Sequence, residues 1–231
     1  MDNPILSVKN LSVQFNGEKI LSDIAFSLEK GMAMAIVGPN GAGKSVLFKA
    51  LLGLIPYSGE IVWQKGIKVG YVPQRLAVDH ELPLSVREFL RLKGNEKEIQ
   101  EALSLVDIHD ALLLNRPFGF LSGGEIQRVL VAWAIIGNPD VLLFDEPVAG
   151  IDLGGEETIY NLMFRLHTER GLTLLLISHD IDIVYRYTDT VLCLNKIPVC
   201  FGKPEEALTA ESLGKLYGAA ALVRHQHRKN A

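Results

Sequence analysis

No apolar run in this chain is long enough to cross a bilayer. The longest, Val129–Gly137 (VLVAWAIIG), has nine residues, about half of the roughly 20 that a spanning helix needs. Residues Met1–Asn10 show no basic segment leading into an apolar one, so no secretory signal is expected. Cysteine is scarce: Cys193 and Cys200 are the only two, too few for a disulfide framework, and both are expected to be reduced thiols of a cytosolic chain. Positive charge is not in excess either. With 23 Lys and Arg against 27 Asp and Glu the formal net charge is −4, which removes any polyelectrolyte argument for nucleic acid or an anionic membrane surface. Internal repeats and low-complexity runs are also missing. The tail Arg224–Lys229 (RHQHRK) is the one local basic cluster, and a solvated chain end accounts for it.

What remains is a globular composition, 48% hydrophobic and 22% charged over 231 residues. That length suits one large α/β domain, or a nucleotide-binding core with a small insert. Ile5–Phe15 and Ile20–Leu28 are partly alternating β-rich runs joined by Asn16-Gly17, a hairpin signal that predicts an antiparallel start. Met32–Val37 is continuously apolar, the pattern of a buried parallel strand, and is followed by a glycine-rich loop and a helical run, Val46–Leu54. Short strands are expected at Ile61–Trp63 and Lys68–Val72. From Leu76 to Ile136 the periodicity turns helical. Ser85 with Glu88 has capping-box spacing, and Asn95–Leu114 reads as a further helical stretch. Sheet texture resumes at Val141–Phe144 and Leu172–Ile177, with a helix from about residue 155 to 170 between them. A last strand pair, Thr190–Leu194 and Pro198–Phe201, precedes a short helical tail.

Gly38-Pro39-Asn40-Gly41-Ala42-Gly43-Lys44-Ser45 fits G-x-x-x-x-G-K-[ST] between a strand and a helix, the setting a phosphate-binding loop requires. Glycines let backbone N–H groups converge on an anion, and the following helix adds its positive N-terminal end. Lys44 neutralises terminal phosphates, and the Ser45 hydroxyl can hold Mg²⁺. A nucleoside triphosphate is the expected ligand. Val141–Phe144 then ends in Asp145-Glu146, which places two carboxylates at the C-terminal edge of a parallel sheet. Asp145 suits the metal and Glu146 suits a base that orients an attacking water.

Between these motifs lies Leu121-Ser122-Gly123-Gly124-Glu125, followed by Ile126-Gln127-Arg128. On this string the chain resembles the ATP-binding cassette (ABC) ATPases. Ser122 and the glycines offer a hydroxyl and N–H groups at a helix start. The resemblance implies that Ser122, Gly123, Gly124 and Glu125 meet the γ-phosphate held by a second copy, giving a head-to-tail dimer with two ATP at its interface. It further implies that Phe15 stacks on adenine, although a strand-end core Phe is the alternative reading. Gln74 resembles the Q-loop glutamine that touches Mg²⁺, Asp152 in Gly150-Ile151-Asp152 the D-loop residue, and His179 in Ser178-His179-Asp180 the switch histidine. The likeness runs from about Ile5 to Leu208.

The fold it implies is α/β, a P-loop NTPase (RecA-like) core with an antiparallel β subdomain and a small helical insert carrying the signature. Residues 1–74 and 137–205 would form the core, 75–136 the helical subdomain and 206–231 a C-terminal helical tail. Lys44 and Ser122 lie only 78 positions apart, and strings such as Gly70–Gln74, Val191–Asn195 and Asp145–Asp152 resemble the ATPase subunits of zinc and manganese importers. The implied activity is ATP hydrolysis with Mg²⁺, at the cytoplasmic face of a membrane, driving a separate permease that a metal-binding protein serves. Another cargo, or a non-transport ABC ATPase acting on DNA or ribosomes, is the alternative. His225 and His227 in the tail supply at best part of a zinc site, which usually takes four ligands. Two positions depart from the family. Val46 replaces a common Thr, which removes one hydroxyl donor and about 0.5–1.5 kcal/mol of phosphate affinity. Ala132-Trp133-Ala134 replaces Ala-Arg-Ala, which exchanges a charge for a large apolar surface.

Overall fold

Apolar pattern decides which strands are buried on both faces. A computed structural model describes residues 4–74, 83–147 and 153–218, with the backbone alone for 153–156. Its described residues fall into two compact units, Met1–Ile67 with Leu174–Ala231, and Lys68–Thr173.

In the first unit, β1 (Leu6–Phe15) and β2 (Glu18–Leu28) form the expected hairpin, with Asn16 and Gly17 both at positive φ (49° and 81°) as the turn requires. β4 (Ser58–Trp63) adds to the free edge of β1, giving an antiparallel sheet in the order β2-β1-β4. Alternate residues of β1 are buried, as one covered face demands. β3 (Ala33–Val37) and β7 (Thr173–Ile177) are buried at every residue. β3 pairs in parallel with β7 on one side and with β8 (Thr190–Asn195) on the other, and β9 (Ile197–Gly202) closes that edge antiparallel to β8. One sheet face, carrying Ala35, Val37, Val191 and Cys193, is covered by Ile181 and Val184 of α7 (Ile181–Tyr187), Ala207 of α8 (Pro204–Ala207) and Leu216 of α9 (Ala210–Tyr217). α1 (Lys44–Leu51) is tied to β4 by the Trp63 indole N–H, which donates to the Leu51 carbonyl at 3.0 Å.

α7 is not among the elements expected from the sequence. Asp180 starts it, its carboxylate accepting from the N–H groups of Asp182 and Ile183. An Asp before an apolar, four-spaced Ile181 and Tyr185 was the available signal. The cysteines also differ from expectation: Cys193 and Cys200 are joined by a disulfide. Seven residues of separation, spent on a tight β8–β9 turn, bring them opposite each other in the ladder, with 4.8 Å between Cα atoms. Strand register, which composition does not encode, made the pair.

In the second unit, β5 (Val69–Val72) runs parallel to β6 (Val141–Asp145). α2 (Val86–Arg91) starts at the expected Ser85–Glu88 capping box. The stretch 95–114 is two helices, α3 (Glu96–Leu105) and α4 (Ala111–Asn115). Asp107 at φ 57° ends the first, and Asp110, accepting from the Leu112 N–H at 2.8 Å, starts the second. α5 (Gly123–Ile135) lies so close to β5 that a Cβ on Gly70 would sit 2.5 Å from the Ala134 carbonyl oxygen. α6 (Leu153–Arg170) reaches the end of α3 through Arg165, which donates to the Leu105 carbonyl and to Asp107, both at 2.8 Å. The residues 75–82, 148–152 and 219–231 lie outside the description, and with them Asp152, part of the stretch after Gln74, and His225 and His227.

Trp133 replaces the absent arginine by packing. Its ring stacks on Phe89 (4.4 Å between centroids, 27° between planes), and Phe89 leans on Phe118 at 4.7 Å. Lys93 lies 5.6 Å from the Trp133 ring centre while donating to the Trp133 and Ala134 carbonyls. Burial lowers the Lys93 pKa. Trp133→Ala is expected to destabilise the protein by about 2 kcal/mol, less than the roughly 3–5 kcal/mol of a fully buried Trp because this ring is half-exposed. Chemical denaturation would show it as a lower midpoint at an unchanged slope.

Candidate nucleotide-binding and hydrolysis site

The first unit carries the phosphate loop. Residues 38–43 connect the buried end of β3 to α1, whose N-cap, Gly43, has φ 95°, and Gly41 has φ 80°. Only glycine takes these left-handed angles without strain. A Cβ on Gly43 would also meet the Leu21 side chain at 2.5 Å, and one on Gly38 would run into the Leu194 carbonyl. α1 has no acidic residue in its first turn, so its N–H groups and dipole are left for an external anion. The Lys44 side chain is buried and folds back over the loop, donating to the carbonyls of Gly38 (2.8 Å) and Pro39 (3.1 Å). Ser45 and Val46 follow, both half-buried on the first turn. Asn40 and Gly41 form the exposed crest of the loop.

Phe15 stands at the tip of the β1–β2 hairpin and is 41% exposed. It therefore does not belong to the core. His179 is exposed between the end of β7 and the first turn of α7, and Ser178 beneath it is buried, its hydroxyl accepting from the Asp180 N–H at 3.1 Å. The Asp180 cap thus fixes the backbone that presents His179.

The second unit carries the acids. Asp145 is the last residue of β6 and only 4% exposed; Glu146 follows with φ 49°. A carboxylate residue in the left-handed region is uncommon and costs backbone strain, a feature that concentrates where function fixes geometry. Gln74, whose carboxamide oxygen is the donor a metal would take, donates through Nε2 to Glu146 at 2.5 Å. Tyr71 was not assigned a role from the sequence. In the ladder it pairs with Leu143, so Asp145 lies two residues further along the same face, a diagonal that a Tyr can span. Its hydroxyl lies 3.4 Å from Asp145. Burial, then the Asp145 charge, pushes its pKa up to about 12, so it remains a donor at any physiological pH.

The signature string starts α5 as a full capping box. Ser122 Oγ accepts from the Glu125 N–H (3.3 Å), and Glu125 Oε2 accepts from the Ser122 N–H (2.7 Å) and hydroxyl (2.8 Å). Arg116 completes the turn, donating to Glu125 at 2.8 Å and to the Phe120 carbonyl at 2.7 Å. Beside it opens a cavity of about 540 Å³ whose lining includes Asp107, His109, Asp110, Ser122, Gly124 and Arg128. The carboxylates there are committed to Arg165, to the α4 cap and to the signature turn. Within the second unit the Gln74 carboxamide and the Asp145 carboxylate, and within the first the Ser45 hydroxyl, are each oxygen donors of the kind a hard cation such as Mg²⁺ prefers.

The ABC transporter family profile matches residues 21–149. The chain belongs to the ABC transporter family. As an ABC ATPase it is 40% identical, over its whole length, to the zinc import ATP-binding protein ZnuC of Pseudomonas aeruginosa, of which it covers 87%. Identity to the protein of that name from Yersinia pestis is 42% over 97% of the chain and 91% of the relative. Among solved structures, an inward-facing metal-chelate type ABC transporter is similar at a TM-score of 0.83, with 28% identity over 93% of this chain and 89% of that one. The ATP-binding core reading, α/β with a P-loop, is thereby met, and ATP hydrolysis is the enzymatic activity of this ABC protein.

The Glu125 carboxyl is held below the ordinary value of 4.5, first by the Ser122 N–H, then by the Ser122 hydroxyl and the Arg116 charge. A depressed pKa stabilises the folded state above about pH 4.5, and that contribution is lost as pH falls through the folded value. Glu125→Gln should lower the thermal midpoint at pH 7, and the difference from the parent should begin to shrink below about pH 4.5 and vanish once the pH has fallen through the lower folded value. Thermal scans followed by circular dichroism would test this, and a gap independent of pH would contradict it.

Proposed function

We propose that the chain is the ATPase subunit of a zinc importer, paired with a second copy of itself and docked on a membrane permease at the cytoplasmic face. The observation that carries this reading is the 40–42% identity, over nearly the full length, to proteins named for zinc import. Among the described residues no helix is long and apolar enough to cross a membrane, so transport needs a separate pore. In the functional division we infer, residues 1–74 and 137–205 form the nucleotide core, 75–136 the helical lobe and 206–231 the tail.

ATP is bound through Phe15 against adenine and through the N–H groups of residues 38–46, with the Lys44 ammonium on the terminal phosphates. Mg²⁺, when bound, neutralises phosphate charge, and Ser45, Gln74 and Asp145 are its holders. Glu146 would orient the attacking water; its carboxylate accepts from the carboxamide of Gln74, one of the residues that would hold Mg²⁺. His179 meets the γ-phosphate. Ser122, Gly123, Gly124 and Glu125 approach the ATP held by the second copy, with Asp152 linking the two sites. For the serine to reach phosphate its hydroxyl must turn away from Glu125, while the N–H groups of α5 already point outward.

Glu146→Gln keeps the shape and removes the base. ATP binding is expected to persist while turnover falls about 10²–10⁴-fold, and the variant should accumulate as a nucleotide-bound dimer in size-exclusion chromatography with light scattering. A variant that stays monomeric with ATP and turns over at the parent rate would overturn the assignment. With the permease in vesicles, ATP-driven uptake of zinc and not manganese would identify the cargo.

A further inference from the structure

We propose that Cys193 and Cys200 form a thiol–disulfide exchange site for low-molecular-weight thiols, and that its state sets how firmly the phosphate loop is held. These are the only cysteines of the chain, and they are direct partners across β8 and β9. Their Cα separation of 4.8 Å lies in the usual range for a bridged pair. Reactivity is asymmetric. Cys193 is fully buried in the cluster with Val37 and Val191, whereas Cys200 packs against that cluster from its edge and is only half-buried, which makes it the member of the pair nearer to solvent.

The hairpin that this bond closes is the backstop of the loop. Cys193 pairs with Val37, the residue before Gly38. Its neighbour Leu194 presents the carbonyl that leaves room only for glycine at position 38. At the turn, the Lys196 N–H donates to the Ala42 carbonyl at 2.9 Å, and the Lys196 carbonyl accepts from the Ser22 N–H at 2.8 Å. The Lys196 ammonium also pairs with Glu18 at 3.2 Å. The bridge thus fixes the two strands that aim this turn at the loop, and breaking it lets the hairpin open locally more often.

The chemistry balances with glutathione-type thiols. A thiolate attacks Cys200 Sγ and forms a mixed disulfide, and Cys193 leaves as a thiolate that takes up a proton. A second thiolate then attacks the small-molecule sulfur of the mixed disulfide. Cys200 is released as a thiol, and the two small thiols leave as one disulfide, two electrons having passed to the protein. Oxidation is the reverse, with oxidised glutathione as the acceptor.

The test equilibrates the intact protein in reduced and oxidised glutathione buffers, counts alkylated thiols by mass spectrometry, and measures two further quantities. These are amide exchange at Lys196 and the affinity for a fluorescent ATP analogue with Mg²⁺. Oxidised protein should show no alkylation and slow exchange at Lys196. Reduced protein should show two alkylations, faster exchange there, and affinity weaker by about three- to tenfold, the range that one backbone hydrogen bond spans. Cys200→Ser, with a single alkylatable thiol, should match the reduced parent in Lys196 exchange and in affinity in both buffers. Two alkylatable thiols at every glutathione ratio, or equal exchange and affinity in the two states, would overturn the proposal. Absence of nucleotide binding in both states would count against the proposed function, while exchange at Lys196 would still decide the coupling.

Discussion

A phosphate loop of bare backbone keeps its shape only if its surroundings leave no room for anything else. Gly38 lies under the Leu194 carbonyl and Gly43 under the Leu21 side chain, and Lys196 caps the Ala42 carbonyl. These contacts come from β2 and from the β8–β9 hairpin, elements remote in sequence from residues 38–45. They hold a run of N–H groups at the start of α1 in a conformation that only glycine tolerates, before any ligand arrives. Preorganisation of this kind is what makes a backbone anion site bind, because ordering the loop is not left to the ligand.

The same economy of backbone donors recurs at α5, with a different solution. Here the signature turn is held by side chains: Ser122, Glu125 and Arg116 satisfy one another and fix the helix start. An exposed ion pair of this sort contributes little to stability by itself. Its value lies in geometry, since it leaves the N–H groups of Gly123 and Gly124 unobstructed. Arg128 and His109 line the adjacent cavity with no hydrogen-bond or ion-pair partner recorded among the described residues, whereas its carboxylates are already engaged.

The departures from the family are resolved differently. Trp133 finds a complete replacement for the missing charge in the Phe89 ring and the Lys93 side chain, so the helical lobe gains an aromatic stack where an arginine would have made polar contacts. Val46 has no such compensation. It sits half-buried on the first turn of α1, where only its backbone N–H can serve a phosphate.

Much of this was legible in the chain of letters, because the informative features are local. A continuous apolar run marks a strand buried on both faces, and β3, β6 and β7 are such strands. Gly-Lys-Ser after one of them and Asp-Glu after another state a chemistry, and Ser-x-x-Glu states a helix start, as at Ser85 and Ser122. Asp180 carried the signal for α7 and was legible too, though only once a helix was sought there. Tertiary structure decided what depends on register and on distance in space. The Tyr71–Asp145 contact, the Cys193–Cys200 bond and the hairpin behind Gly38 each join residues whose types carry no mark of their partner. A one-residue slip in any of those ladders would turn the side chains to the opposite face and abolish the pairing.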